Sequence, residues 1–410
     1  KVFRVRADTL PASEQATLHD RSAPVQEYNR FLSHCWGSPG WHKFFTLASD
    51  HLGPPAFVAA SVVAVAIHIA QNLYALPTIA CNDVYNGNRF AISFWEICLG
   101  EAAALCVAFA GHNLCTTQYF LDCVCIHQTD PELKKAGVAH IPEYVRSSRE
   151  LFVLWDETYL TRLWCVYELA VAHAAGASTA IRIIPLGMSV ALVKFHVVLF
   201  ASHVVGRLLY VFVPKGRASQ LVRQILFVLM RGCCLALVAR ASADMARMLR
   251  SMEDEFGFFH VRRTNCFADG DRRTLYKSIK EMYGSLDDFD IEVRTRVRQT
   301  VMEGFVGQRA LLPYRALLVP LASEIPYLMA CTSGDIDSHA WVRAVSYISN
   351  FPEAFALQPA CIALAMSLGS AAGRSSCTRS WILFAKIGVL VAIVRTIGVY
   401  FTTSMPKAIA

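Results

Sequence analysis

Charged residues are scarce in this chain of 410 residues. Only 17% of its positions are Asp, Glu, Lys or Arg, whereas 54% are hydrophobic, and the mean hydropathy is positive. Average soluble proteins have about 25% charged residues. Residues 52–82 contain no charged side chain at all. This composition predicts an integral membrane protein, with membrane lipids as its first expected partner.

Other features that are missing exclude several classes of function. The net charge of +7 is dispersed without a basic run, so nucleic acid is not expected as a partner. The phosphate-binding motif Gly-x-x-x-x-Gly-Lys-Ser/Thr does not occur. The fourteen cysteines are scattered, many of them in apolar segments, as in reduced, non-secreted proteins. Cys123 and Cys125 lack a partner at zinc-site spacing, so we predict that they pack on one face of a strand; metal binding is the less favoured alternative.

Seven segments are apolar and long enough to be predicted as membrane spans, because about 20 apolar residues cross a bilayer core. The predicted spans are residues 54–76, 93–110, 190–213, 221–238, 311–331, 354–373 and 381–404.

Several predicted spans contain ionisable residues, which are costly in hydrocarbon and usually face the interior of a helix bundle. Lysine and arginine side chains near span ends can extend to the interface; we predict this for Lys194, Arg207, Arg223 and Arg395. Carboxylates cannot reach as far, and Arg315 is the predicted partner for one of them. The carboxylates in question are Glu96, Glu101 and Glu324.

The most informative stretch is residues 148–169. Its hydrophobic run at 151–155 predicts a buried strand, and a polar turn and a helix follow. Trp164 and Glu168 are four residues apart, which places them one turn apart on the same helical face. A ligand site of an α/β fold commonly lies at the carboxyl ends of its strands. The residues alone leave a second interpretation open, an amphipathic helix with a solvated Glu168.

Three segments, in this order, resemble parts of a Toll/interleukin-1 receptor (TIR) domain. Residues 28–34 (Tyr-Asn-Arg-Phe-Leu-Ser-His) resemble the first strand and residues 120–128 the second, with an acidic end at Asp122. Residues 148–169 resemble the third strand and the Trp-Cys-x-x-Glu-Leu helix. Residues 31–36, 121–128 and 162–169 look more closely like a TIR-like variety in predicted proteins of single-celled algae. It departs from the usual pattern at Asn29, Cys123, His127 and Asp156.

The resemblance implies a flavodoxin-like α/β fold with a parallel sheet, and two activities known for the family. Some TIR domains cleave the bond between nicotinamide and ribose in NAD, and the acid that carries this chemistry corresponds to Glu168. NAD would be a substrate, and no cofactor is implied. The pocket would be lined by Ser33, His34, Trp36, Asp122 and Trp164. Other TIR domains only associate, with themselves or with other TIR-like domains.

The predicted spans interrupt the TIR-like segments. We predict a fourth strand at 179–184, a further strand at 258–266, and amphipathic helices over 271–282 and 291–306. An even number of spans separates the pieces, so one cytosolic domain can assemble from them. The predicted organisation is the first strand and helix (1–50), a transmembrane hairpin (51–113), the domain core (114–187), a second hairpin (188–240), the rest of the domain (241–310) and C-terminal transmembrane helices (311–410).

Three functions compete at this stage. The first is a membrane-anchored TIR-like signalling or interaction protein, favoured by the departures at Cys123, His127 and Asp156. The second is a TIR-type NAD glycohydrolase, favoured by the presence of both Trp164 and Glu168. The third is a transporter or channel with a regulatory TIR-like domain, suggested by the intramembrane charges; it requires Glu96, Glu101, Glu324 and Arg315 to line one cavity.

Overall fold

A computed structural model describes residues 10–74, 76–82, 89–176, 179–212, 217–266, 269–306, 314–332, 353–374 and 381–409. The chain divides into two compact units, each assembled from three segments. Unit 1 comprises Lys1–Thr46, Cys115–Ser189 and Arg247–Leu311, and unit 2 comprises Leu47–Leu114, Val190–Ala246 and Leu312–Ala410.

The described residues form six strands. Four of them make a parallel sheet in the order β4-β1-β5-β6, and the other two pair as an antiparallel ribbon. The strands are β1 (Tyr28–His34), β2 (Ile79–Asn82), β3 (Arg89–Ile92), β4 (Tyr119–Phe120), β5 (Ser148–Trp155) and β6 (Ala180–Pro185).

Helices make up most of the described chain. In chain order the α-helices are α1 (Ala12–His19), α2 (Gly40–Tyr74), α3 (Trp95–Ala110), α4 (Asp122–Cys125), α5 (Pro131–Ala139), α6 (Ile141–Arg146), α7 (Leu163–Ala175), α8 (Leu186–Phe212), α9 (Arg217–Gly257), α10 (Asp269–Tyr283), α11 (Leu286–Glu292), α12 (Arg298–Val306), α13 (Tyr314–Leu317), α14 (Glu324–Thr332), α15 (Gln358–Arg374) and α16 (Trp381–Ile409). Shorter 3₁₀ turns lie at Gly111–Leu114, Tyr159–Thr161, Val261–Arg263 and Pro320–Ser323, and π-helical turns at Val293–Val297 and Glu353–Leu357.

Strand β5 lies at the centre of unit 1. Its residues Leu151–Trp155 are almost completely buried, as expected for an inner strand of a parallel sheet that is covered on both faces. Helix α7 packs against β1 and β6, and its residues 169–172 are fully buried. The helices predicted over 271–282 and 291–306 are present in unit 1 as α10 and as the helical run from α11 to α12.

Two predicted strands of unit 1 are wrong: one is much shorter than predicted, and the other is replaced by a 3₁₀ turn. The strand predicted at 120–128 contains only Tyr119–Phe120, and the helical turn α4 follows it. The Leu121 carbonyl accepts the backbone N–H groups of Val124 and Cys125 in this turn, and the Asp122 carboxylate accepts the Cys123 N–H at 2.7 Å. Cys123 and Cys125 therefore lie on a helical turn, not on one face of a strand.

The strand predicted at 258–266 is instead a 3₁₀ turn over Val261–Arg263, with one isolated bridge between Arg162 and Asn265. The carboxylate of Asp290 accepts the Val261 N–H at 2.7 Å. This hydrogen bond satisfies a buried donor that a strand would have paired in a ladder.

Four of the described helices are long and apolar enough to cross a membrane: Gly40–Leu73, Leu186–Phe212, Leu221–Gly257 and Phe355–Arg374. They bear out the prediction of membrane-associated segments at this coarser level. Three of the seven predicted spans are not among these four helices. The segment 381–404 lies within helix α16. The segment 93–110 forms the 16-residue helix α3, which is shorter than the about 20 residues that a span needs. The described part of 311–331 is broken into α13, a 3₁₀ turn and α14, because Pro320 has no N–H to continue a helix.

Helices α9 and α15 of unit 2 approach each other closely at small residues. A Cβ atom built on Gly369 would overlap the carbonyl group of Ala239, and one built on Gly373 would lie 2.5 Å from the carbonyl oxygen of Ala243. Gly369 and Gly373 are four residues apart and so share one helical face. This is the small-x-x-x-small spacing that lets helix backbones meet in membranes.

The ionisable side chains of unit 2 pair differently from the predictions. Arg315 pairs with Asp50, with 3.7 Å between their charged atoms, and Glu324 pairs with Arg231 at 2.5 Å. Arg207 and Arg395 do not extend to an interface. Both are buried; Arg207 donates to the Ala330 carbonyl and Arg395 to Gln358.

Candidate functional site

A cavity of about 710 Å³ opens at the carboxyl ends of the strands of unit 1. The segment after β1 contributes His34 and Trp36, the end of β4 contributes Asp122, and α7 contributes Trp164 and Glu168. Ligands of open α/β sheets bind at this edge, and the volume falls within the range of small-molecule sites. Five of the six residues predicted for the site therefore line one cavity.

The sixth predicted residue, Ser33, lies directly beneath the cavity and contacts its acid. Ser33 is fully buried at the end of β1, and its hydroxyl donates to the Oε2 atom of Glu168 at 2.6 Å. The hydroxyl of Tyr159 lies 2.5 Å from the same Ser33 oxygen and donates to the Cys165 carbonyl at 3.2 Å. Residues that are up to 135 positions apart thus form one continuous chain of hydrogen bonds.

The proton count of this chain depends on the charge of Glu168. Each hydroxyl has one proton to donate. With Glu168 protonated, Glu168 donates to Ser33, Ser33 to Tyr159, and Tyr159 to the Cys165 carbonyl, so every bond has its proton. With Glu168 ionised, Ser33 donates to Glu168 and Tyr159 donates to Ser33. The Cys165 carbonyl then has no hydrogen-bond donor in this chain. The hydrogen bond that Ser33 donates to Oε2 of Glu168 belongs to the ionised form.

Burial acts in the opposite direction, against the charged form. It raises the pKa of the Glu168 carboxyl to about 8; the hydrogen bond from Ser33 lowers the pKa and the negative charge of Asp122 raises it. A carboxyl group in a dry environment loses the solvation that stabilises its charge. Glu168 therefore titrates close to neutral pH, where general acids and bases work best.

Trp36 and Asp122 join the ends of β1 and β4. The indole N–H of Trp36 donates to the Oδ2 atom of Asp122 at 2.8 Å. His34 lines the cavity beside them. Burial, with the positive charge of Lys43, lowers the pKa of the His34 imidazole to about 4, so His34 is neutral at pH 7.

Asp156, one of the departures from the TIR pattern, has a structural role in the loop after β5. Its carboxylate accepts hydrogen bonds from the hydroxyl of Ser38 and from the N–H and hydroxyl of Thr158. A short acid at the start of a turn commonly caps it in this way. Asp156 does not line the cavity, whereas Thr158 does.

Two cations that the sequence analysis missed also line the cavity, Lys134 of α5 and Arg162 at the start of α7. Both are among the groups that bind anions such as phosphate. The position of Arg162 directly before the Trp-Cys-x-x-Glu helix could have indicated it. Asn265 lines the cavity as well, and its backbone pairs with Thr161 and Leu163; a partner about 100 residues away leaves no local signal.

Among the residues that the structure describes, no group of three or more His, Cys, Asp or Glu side chains is arranged to hold a metal ion. The polar groups of the cavity instead suit an organic ligand with anionic and aromatic parts. No protein-family model, curated protein or solved structure matches this chain.

Proposed function

We propose that this chain is a membrane-anchored signalling protein whose unit 1 is a TIR-like domain. Two observations support the proposal. The strands of the unit 1 sheet follow the order second-first-third-fourth along the chain, which is the order of the first four strands of a flavodoxin-like sheet. Four helices have the length and composition of membrane spans. In this proposal unit 1 faces the cytosol and the protein crosses the membrane several times.

We further propose that unit 1 cleaves NAD between nicotinamide and ribose. The observation that carries this proposal is the cavity at the strand ends, with the Glu168 carboxyl buried against it. Bond cleavage leaves positive charge on the ribose, as in glycoside hydrolysis, and a carboxylate beside the sugar stabilises that charge. Water then takes the place of nicotinamide on the ribose.

The other residues of the cavity have separate tasks in this proposal. The aromatic faces of Trp36 and Trp164 stack on the nicotinamide or adenine ring. Lys134 and Arg162 neutralise the pyrophosphate. Ser33 acts as a positioning residue, because it reaches the substrate only through its hydrogen bond to Glu168.

Release of nicotinamide from NAD is the test. The protein is purified in detergent and reconstituted at high density on lipid vesicles, because association is how TIR-like domains act. We expect wild type to release nicotinamide and Glu168→Gln to lose this activity. Gln retains the size of Glu and can accept the Ser33 hydrogen bond, so the fold is preserved. Because the active form is the carboxylate, the wild-type rate rises with pH towards pH 8.

The control is Glu281→Gln, which removes an exposed carboxylate of unit 1 outside the cavity and should leave the rate unchanged. If folded wild type releases no nicotinamide at any density, NAD cleavage is wrong. The remaining activity of a TIR-like domain would then be association with itself or with other TIR-like domains, which cross-linking on the same vesicles measures.

A further inference from the structure

Three charged side chains of the unit 1 cavity have no partner within the protein. Lys134, Arg162 and Asp271 line the cavity, and all three are partly buried. Within the ranges that the structure describes, none of these side chains makes a hydrogen bond or an ion pair. Charged groups that are withdrawn from water are usually paired. The three side chains are therefore available to a ligand that has anionic parts and hydrogen-bond donors.

Three of the described residues that line the cavity are acids, and two of them already accept hydrogen bonds. Asp122 accepts from the indole N–H of Trp36 at 2.8 Å, and Glu168 accepts from the hydroxyl of Ser33 at 2.6 Å. Asp271 is the third acid. The two oxygens of a carboxylate can only accept. Asp271 therefore suits a part of the ligand that carries two donors, such as the neighbouring hydroxyl groups of a sugar.

Asp271 lies on the same edge of the cavity as Arg162. The backbone of Asn265 pairs with both chain neighbours of Arg162, through hydrogen bonds of 2.7 and 3.1 Å. The guanidinium of Arg272 donates to the carbonyl of Thr264 at 3.0 Å, which ties the first turn of α10 to the segment that contains Asn265. Asp271 belongs to that first turn. These hydrogen bonds hold Asp271 beside the start of α7.

The order of groups along the cavity follows the order of groups in a dinucleotide. Arg162 precedes Glu168 by six residues, which corresponds to about 9 Å along a helix axis. In the proposed function, Glu168 meets the nicotinamide ribose and Arg162 meets the pyrophosphate. The adenosine ribose follows the pyrophosphate, and Asp271 is the acid on that edge. Asp122, rather than Asp271, is the acid whose charge raises the pKa of Glu168.

We propose that Asp271 selects NAD over NADP. The inference rests on the proposed function, because Glu168 and Arg162 define the position of the dinucleotide. The Asp271 carboxylate accepts hydrogen bonds from the 2′- and 3′-hydroxyls of the adenosine ribose. NADP has a phosphate group at the 2′ position, and a carboxylate repels this anion. In other dinucleotide-binding folds, an acid at the ribose favours NAD for the same reason.

The cations of this edge are already engaged. Arg162 binds the pyrophosphate in the proposed function. Arg272 is next to Asp271, but its guanidinium donates to a backbone carbonyl and to the hydroxyl of Tyr276. Lys134 belongs to α5, which packs against α6, whereas α10 packs against α7 and α11. A 2′-phosphate at this edge would therefore meet the Asp271 carboxylate without a cation to offset the repulsion.

The test measures binding of two product-like ligands, ADP-ribose and ADP-ribose 2′-phosphate. Full-length protein in detergent is titrated with each ligand by calorimetry. We expect wild type to bind ADP-ribose at least about tenfold more tightly, because placing like charges together costs several kcal/mol. Asp271→Asn should bring the two dissociation constants within about threefold of each other. Asn still accepts from a ribose hydroxyl but does not repel the phosphate.

The matched control is Asp269→Asn, which makes the same charge change in the same helical turn. Asp269 is exposed, and its replacement should leave the ratio of the two dissociation constants unchanged. The proposal is overturned if wild type binds both ligands equally or binds neither. It is also overturned if Asp271→Asn discriminates as wild type does.

Neither ligand contains the bond to nicotinamide, so the binding test does not depend on NAD cleavage. Discrimination by Asp271 without nicotinamide release would contradict only the proposed reaction. Nicotinamide release with an unchanged binding ratio in Asp271→Asn would contradict only the role of Asp271.

Discussion

At the scale of single residues, the environment decides what each acid does. Glu168 and Glu324 are both buried carboxyl groups. Glu168 accepts a hydrogen bond from the neutral hydroxyl group of Ser33. Glu324 accepts one from the positively charged guanidinium of Arg231. A buried acid without a cation is protonated at a higher pH than usual, and one paired with a cation stays ionised. The same side chain is therefore a titrating group in unit 1 and a fixed anion in unit 2.

The raised pKa of Glu168 has a consequence for stability. Between pH 4.5, the ordinary pKa of the carboxyl, and about 8 in the folded protein, the folded state binds a proton that the unfolded state has lost. The free energy of unfolding therefore falls as pH rises through this range, by about 1.4 kcal/mol per pH unit from this group. Below pH 4.5 both states are protonated and the effect is absent.

We expect Glu168→Gln to remove this contribution. Relative to wild type, the variant should become more stable as pH rises from 5 to 8, because Gln has no proton to lose. Thermal unfolding midpoints in detergent, measured for both proteins in the same buffers, check the prediction. The difference between the midpoints of the two proteins cancels the contributions of other titrating groups, such as His34. A difference that does not change with pH would mean that Glu168 is ionised in the folded protein throughout.

At the scale of elements, local patterns predicted most helices and the inner strand, but not where the edge elements end. The apolar run at 151–155 lies within β5 because an inner strand can be hydrophobic on both faces. Strand β4 pairs only with β1 and ends after two residues, just before the helical turn α4. An edge strand that ends early in this way leaves the hydrophobic pattern of the sequence unchanged.

The contact between α9 and α15 gives a prediction at this scale. We expect Gly369→Ala to destabilise unit 2 because the new methyl group would overlap the Ala239 backbone. Overpacking of this kind costs about 1–3 kcal/mol. Gly206→Ala makes the same change in α8, where the methyl group would meet the Phe227 ring at 3.5 Å, ordinary contact.

The unfolding midpoint in detergent measures both variants. Gly206→Ala should match or exceed wild type, because alanine is the better helix former by about 1 kcal/mol. Equal midpoints for Gly369→Ala and Gly206→Ala would show that α15 does not approach α9 as closely as described.

At the scale of the whole molecule, unit 1 is assembled from segments that the apolar helices separate. If β1 and β4 form one sheet on one side of a membrane, the chain between them must cross an even number of times. Helix α2 is long and apolar enough for one crossing, and we propose α3 for the return. Its 16 residues span about 24 Å, against a bilayer core of about 30 Å; local thinning of the bilayer accommodates a short span.

The proposed orientation predicts which residues a protease can reach. In sealed vesicles with the cytosolic face outward, trypsin should cut unit 1 at exposed sites such as Lys277 and Arg296, whose side chains are 80% and 76% exposed. Mass spectrometry identifies the released peptides. Inverted vesicles serve as the control and should protect the same sites until detergent is added. The opposite pattern of protection would place unit 1 on the other side of the membrane.

The sequence by itself determined the features that depend on neighbours in the chain. Hydrophobic length predicted the long apolar helices, and the four-residue spacing placed Trp164 and Glu168 on one helical face, because helix geometry is local. Only the tertiary structure decided the partners of the buried charges. Arg231 and Glu324 meet across 93 residues and Ser33 and Glu168 across 135. Ionisation depends on burial and on such distant partners, which no local pattern of residues encodes.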